Sequence, residues 1–101
     1  MSSSKAFQPA SLGTLTLKNR IIKAATFEGM TPDGVPGERL LNFHKAIVDG
    51  GAAMTTLSYC TTEADGRIME NMMWLRPEIE DELTKIIAEL KKSGAKVSGQ
   101  V

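Results

Sequence analysis

The sequence predicts an α/β fold, read as a short β-hairpin followed by strand, helix, strand, helix, strand, with the strands parallel and the helices outside. Three observations predict it. Short, mostly uncharged apolar stretches at 21–26, 52–59 and 96–101 alternate with two stretches of helical period. The two helix exits match, "DGGA" before the second strand and "KSGA" before the third. Connections after helices are short, whereas those after strands run long, the mark of repeated βα units with a fixed tight return.

Each element has its own warrant. Residues 11–17, "SLGTLTL", alternate Thr and Leu about Gly13, which suits a hairpin. The turn "KNR" leads into 21–26, where only Lys23 is charged, as expected of a strand buried on both faces. In "FEGMTPDGVPG" the prolines and glycines dictate a loop. From Glu38, the spacing of Leu40, Leu41, His44, Ile47 and Val48 marks one face of a helix closed by Gly50 and Gly51. Residues 52–59, "AAMTTLSY", read as a second buried strand, and "CTTEADGRIMENMMWLR" as a long irregular connection. The second helix opens at Pro77, carries Glu78, Glu80, Asp81 and Glu82 in its first turns and Lys91 and Lys92 in its last, and stops at Gly94. Residues 96–101 form the third strand. Long loops after strands place working residues at the carboxyl ends of the strands.

Composition removes several classes of function. The 101 residues suffice for one domain, and 42% of them are hydrophobic, enough for a packed core. Twelve basic residues balance twelve acidic ones, so no footprint for nucleic acid or an anionic membrane is visible. The single cysteine, Cys60, forbids an internal disulfide, and no run of about 18 apolar residues could span a bilayer. The start, "MSSSKAFQPA", lacks the apolar core of a secretory signal, so residues 1–6 are expected to be a flexible segment and the protein cytoplasmic. One His and one Cys cannot assemble a zinc site of the usual ligands.

The segment "SLGTLTLKNRIIKAATFEGMTPDGVPGERLLNFHKAIVDGGA" resembles the amino-terminal part of the Old Yellow Enzyme family of flavin-dependent oxidoreductases, in which a "lkNRi" turn precedes the first barrel strand. The likeness continues through "DGR" at residues 65–67, the helix from Pro77, and "SGAKVSGQV". The resemblance implies that residues 1–101 are the βαβαβ opening of a (β/α)8 barrel that holds FMN at its carboxyl face. It also implies reduction by NAD(P)H, hydride transfer to an activated alkene or related electron-poor small molecule, and a homo-oligomer at full length. Such a barrel takes about 250 residues, so this chain reads as a fragment, inactive alone. The family's substrate-anchoring His residues, proton-donating Tyr and phosphate site fall beyond Val101, leaving no catalytic residue here.

Carried over residue by residue, the resemblance puts Ala24, Ala25, Thr26 and Phe27 against the flavin, where small side chains and main-chain amides allow close approach. Without it, Ala24 and Ala25 would read as ordinary tight packing. Many members have Pro at the position of Ala25 and Thr or Cys near Phe27, and Thr26 stands one residue from that tuning position. A hydroxyl there would donate to a flavin carbonyl. Tyr59 carries two readings, main chain beside the flavin or a strand-end aromatic with a wet hydroxyl. Gln100 matches a glutamine on the polar edge of the flavin ring, an apt group because an amide donates and accepts at once.

Other residues read as structural: His44 as a partly buried helix histidine, Cys60 as an inert small side chain, the Met-rich "IMENMMW" as packing, and Glu28 and Glu38 as loop caps or solvated groups. Two rival functions remain at this stage. One is a noncatalytic α/β module that self-associates or binds a partner. The other is a flavin-free barrel lyase or aldolase using Lys23 or Lys96.

Overall fold

The computed structural model describes residues 4–101. The expected flexible segment 1–6 therefore lies outside the described residues at positions 1–3, while Lys5–Phe7 form a 3-10 turn capped by Ser4, whose side chain accepts from Ala6 N at 3.2 Å.

The hairpin is present. Strand β1 (Ala10–Leu12) pairs antiparallel with β2 (Leu15–Leu17), and Gly13, at φ 61, supplies the left-handed residue that so tight a reversal requires. Leu17 is 3% exposed and packs with Leu15 on Ala53 and Met54, so the hairpin seals the amino end of the strand that follows.

Helix α1 (Glu38–Asp49) buries Leu40, His44 and Val48, one residue per turn along a single face. Strand β3 (Met54–Leu57) comes next, then the two-residue strands β4 (Cys60–Thr61) and β5 (Met73–Trp74), helix α2 (Glu80–Lys91) and strand β6 (Lys96–Gly99). Pro77–Ile79 is a 3-10 turn leading into α2, consistent with a ring locked at helical φ and no N–H to lose. Strands β3 and β6 run parallel, with Met54 opposite Lys96 and Leu57 opposite Gly99. The helix-side faces of this pair bury two apolar clusters. Leu40, Leu57, Cys60, Met73 and Ile79 form one; Val48, Ile86, Leu90 and Ala95 form the other.

The two matching exits are held by one turn of the chain. Asn19 Nδ2 donates to Gly51 O at 2.7 Å, and the neighbouring Lys18 Nζ donates to Ser93 O at 3.0 Å. Asn19 Oδ1 also accepts from Ile21 N at 3.0 Å. The "LKNR" turn thus ties both helix-to-strand returns to the hairpin, which gives it a mechanical role independent of any ligand.

Three expectations need correction. The strand at 21–26 shrinks to a single parallel bridge, Ile22 opposite Met54, with Ala53 N donating to Ile21 O and Lys23 N to Met54 O. Ile21 and Ile22 are exposed rather than buried on both faces, because among the described residues this segment has a strand on one side only. The second and third strands are shorter than read, at Met54–Leu57 and Lys96–Gly99. The parallel pairing nonetheless runs on past β6, since Gln100 N donates to Leu57 O and Cys60 N to Gln100 O. Finally, the stretch after Tyr59 is not wholly irregular: β4 and β5 pair in parallel, and Leu75 N donates to Thr61 O at 2.8 Å.

Candidate functional site

At the carboxyl end of β3 three segments of chain lie side by side: residues 24–28 after the Ile22 bridge, residues 58–60 after β3, and residues 100–101 after β6. Every residue expected to contact a cofactor falls on one of them. Ala24, Thr26 and Gln100 are exposed, Ala25 and Tyr59 half-buried, and Phe27 sits at the margin of exposure. Phe27 and Tyr59 are brought together, their rings stacked with centroids 5.7 Å apart and planes inclined by 30°. Tyr59 and Gln100 meet across a shallow cleft of about 260 Å³ whose remaining lining is Cys60, Ile68, Met72 and Val101. Ala24 and Ala25 do not line that cleft; they lie along the bridge segment beside it.

Thr26 is held on both sides. Its carbonyl accepts from Ser58 Oγ at 2.5 Å, and its hydroxyl oxygen accepts from Lys23 Nζ at 3.2 Å, which leaves its own proton available to a third group. Lys23 Nζ also donates to Ala24 O at 2.8 Å and lies 5.7 Å from the centre of the Phe43 ring.

Beneath this surface lies a polar network that the sequence reading missed. Glu28, expected to cap or solvate the loop, has a side chain only 3% exposed, and it pairs with His44 Nε2. His44 is fully buried, and its Nδ1 bonds Thr55 Oγ1 at 2.6 Å. The second carboxylate oxygen of Glu28 accepts from Ser58 N at 3.5 Å. A carboxylate goes inside here because the imidazole on the apolar face of α1 needs a partner once water is excluded. The available signal was His44 itself, a polar ring on a buried stripe.

The walls are two loops stitched to each other. Thr31 Oγ1 donates to Asn71 O at 2.7 Å, and Asn71 Nδ2 donates to Gly29 O at 2.9 Å. In the second loop Arg67 donates to Ala64 O and Glu70 O, which accounts for the arginine of "DGR" as a loop staple. Arg76 stacks on Trp74, its guanidinium 4.3 Å from the ring centre. Of the methionines, Met72 and Met73 are buried as packing residues, whereas Met69 is exposed at the rim beside Ile68.

Cys60 is a poor nucleophile. Burial first, and then the nearby Glu28 carboxylate, push its thiol from 9.0 up to about 11. Among the described residues no group of His, Cys, Asp and Glu side chains is placed to hold a metal ion, and no helix is long and apolar enough to cross a membrane.

No family model matches the sequence. Solved structures do match its fold: an Old Yellow Enzyme from Pichia superposes over 96% of this chain and 26% of its own, with a TM-score of 0.86 at 19% identity. The fold is that of the amino-terminal part of the Old Yellow Enzyme family. A morphinone reductase of that family, solved in complex with tetrahydroNAD, superposes over the same shares with a TM-score of 0.83 and 19% identity. At the level of sequence, the chain is 41% identical over 95 residues to the 4,4'-dithiodibutanoate disulfide reductase of Rhodococcus erythropolis, covering 94% of this chain and 24% of that protein. It is 31% identical over 99 residues to the metal reductase of Desulforamulus reducens, covering 87% and 15% respectively. The chain thus spans about a quarter or less of the curated relatives it matches, and both of those relatives are oxidoreductases by name. The Old Yellow Enzyme fold places the strand ends described above at the face where (β/α)8 barrels carry their active sites.

Proposed function

We propose that this chain forms one side of an FMN site in an NAD(P)H-dependent oxidoreductase. The observation that carries the reading is the convergence of Ala24, Ala25, Thr26, Phe27, Tyr59 and Gln100 on three adjacent strand ends, with small or main-chain surface along one segment and a carboxamide across the cleft. The donor set fits a flavin. A flat tricyclic ring needs close approach at its face and matched donors and acceptors at its pyrimidine edge, and Ala24, Ala25 and Gln100 offer these. When bound, FMN would supply the redox chemistry, accepting hydride from a reduced nicotinamide and delivering it to an electron-poor small molecule.

The rest falls to the protein. Ala24 and Ala25 allow close approach, Thr26 keeps a hydroxyl proton to donate to a ring carbonyl, and Gln100 orients the polar edge. Activated alkenes are the proposed acceptors. A disulfide is a second acceptor class, favoured by the name of the Rhodococcus relative. Residues 4–101 supply only one side of the site, with open strand edges, so the isolated 101-residue chain is expected not to retain FMN or turn over. A cytoplasmic location and homo-oligomerisation of a longer protein belong to the same reading.

The test is spectroscopic. The protein purified from its own source should carry a flavin released as FMN on denaturation, bleached anaerobically by NADPH or NADH and recoloured by an activated alkene or a disulfide. Colourless, folded protein that neither binds added FMN nor oxidises nicotinamide would end the proposal. Stoichiometric yellow colour and NADPH oxidation by the isolated 101 residues would overturn the claim of inactivity.

A further inference from the structure

The backbone pairing of the first site segment stops early. Lys23 N donates to Met54 O at 3.0 Å, and beyond it no backbone hydrogen bond joins residues 24–28 to β3 or its continuation among the described residues. Yet residues 26–28 run alongside residues 58–59. Side chains take over where the ladder ends. Ser58 Oγ holds the Thr26 carbonyl, the Phe27 ring lies on Tyr59, and the Glu28 carboxylate takes His44 Nε2 with one oxygen and Ser58 N with the other. His44 passes the connection to Thr55, in the middle of β3, at 2.6 Å.

One carboxylate therefore joins the first loop, α1 and the β3 segment. The apolar clusters do not require it, since α1 is already anchored through Leu40 in one cluster and Val48 in the other. A buried carboxylate–imidazole contact contributes little net stability, because desolvation offsets most of the attraction, but it tolerates only a narrow geometry. Among the described residues no buried side-chain nitrogen or oxygen lacks a hydrogen-bond partner, so the network is complete as it stands.

We infer that Glu28 is a positioning residue, which through His44 and Ser58 fixes the Thr26–Phe27 backbone against Ser58 and Tyr59 at the spacing the flavin ring rests on. The inference uses the flavin reading for its purpose, but the fixing of one segment on the other stands without it. Glu28 and His44 would act at one remove, with Thr26, Phe27 and Tyr59 as the surface in contact.

The experiment compares Glu28→Gln, Ser58→Ala and, as a control in the distant Val48–Ile86–Leu90 cluster, Leu90→Ala, all in the natively purified protein. Amide hydrogen exchange at residues 26–28 and 58–60 and the FMN dissociation constant from flavin fluorescence are measured for each. Glu28→Gln should raise exchange at those amides and the FMN dissociation constant by about tenfold each, as loss of an orienting outer partner does elsewhere. Ser58→Ala should move the same amides by a smaller factor. Leu90→Ala should lower overall stability while leaving local exchange at the six amides and FMN affinity unchanged. If Glu28→Gln and Ser58→Ala behave like Leu90→Ala, the positioning role is wrong. If the wild-type protein takes no FMN, the flavin reading fails on its own, and the exchange pattern still decides whether Glu28 fixes the segment.

Discussion

Replacing Gly34 by alanine separates two costs that usually arrive together. Gly34 is buried in the first loop at φ 75, and a Cβ there would stand 2.9 Å from Trp74 Cβ and 3.1 Å from Trp74 N. These are rigid atoms of β5 rather than the tip of a flexible side chain, so the loop or the strand must shift. Gly13 offers the comparison, since its φ of 61 is similar but nothing lies within 4 Å of its would-be Cβ. Left-handed backbone should cost alanine about 1 kcal/mol at either site. The clash at Gly34 adds about 1–3 kcal/mol, the usual cost of overpacking. Urea unfolding should therefore place Gly34→Ala about 2–4 kcal/mol below wild type and Gly13→Ala about 1 kcal/mol below. With an m-value of about 1 kcal/mol/M, the two midpoints should differ by about 1–3 M. Equal midpoints for the two variants would refute the claim that the first loop is seated on β5 through Gly34.

Four further outcomes are expected. Raising the Cys60 thiol from 9.0 to about 11 cuts its thiolate fraction at pH 8 about a hundredfold, so a disulfide reagent should label the folded protein at least that much more slowly than the urea-unfolded chain; equal rates would exclude it. The linkage has a definite sign: because the folded thiol titrates higher, its contribution to stability is intact below pH 9 and is lost as pH rises towards about 11, visible as a falling urea midpoint across that window that Cys60→Ala abolishes. Leu40→Ala, at a fully buried site touching the Leu57–Met73–Ile79 cluster, should cost about 3–4 kcal/mol in the same urea assay. Lys92→Ala, which removes a 3.1 Å pair with Glu89 in which the lysine is 72% exposed, should change stability by less than about 0.5 kcal/mol.

What was legible in the sequence was whatever local periodicity encodes. The helices were legible because Leu40, His44 and Val48, and likewise Ile86 and Leu90, recur at helical spacing, and the returns because Gly51 and Gly94 adopt positive φ where a helix must reverse into a strand. The β4–β5 pair was not, since a two-residue strand has no period and its register is set by a partner twelve or more positions away. The run at 21–26 misled for the opposite reason: apolar composition reports which faces a strand could bury, whereas its neighbours decide which it does. In the candidate site, the strand-end positions followed from topology and from resemblance. The Glu28–His44–Thr55 network did not, because each link joins residues far apart in sequence and a glutamate in a Gly-Pro-rich loop has the composition of a solvated one.

The hairpin carries a consequence for traffic. Leu15 and Leu17 sit on Ala53 and Met54 at one end of the sheet, and the "LKNR" turn bolts that end to both helix returns. That end is plugged, since Ala53 and Met54 are covered there by Leu15 and Leu17 and would be uncovered only by prying the hairpin loose. The carboxyl ends of the strands carry no such plug, and the shallow cleft between Tyr59, Ile68 and Gln100 stands open there.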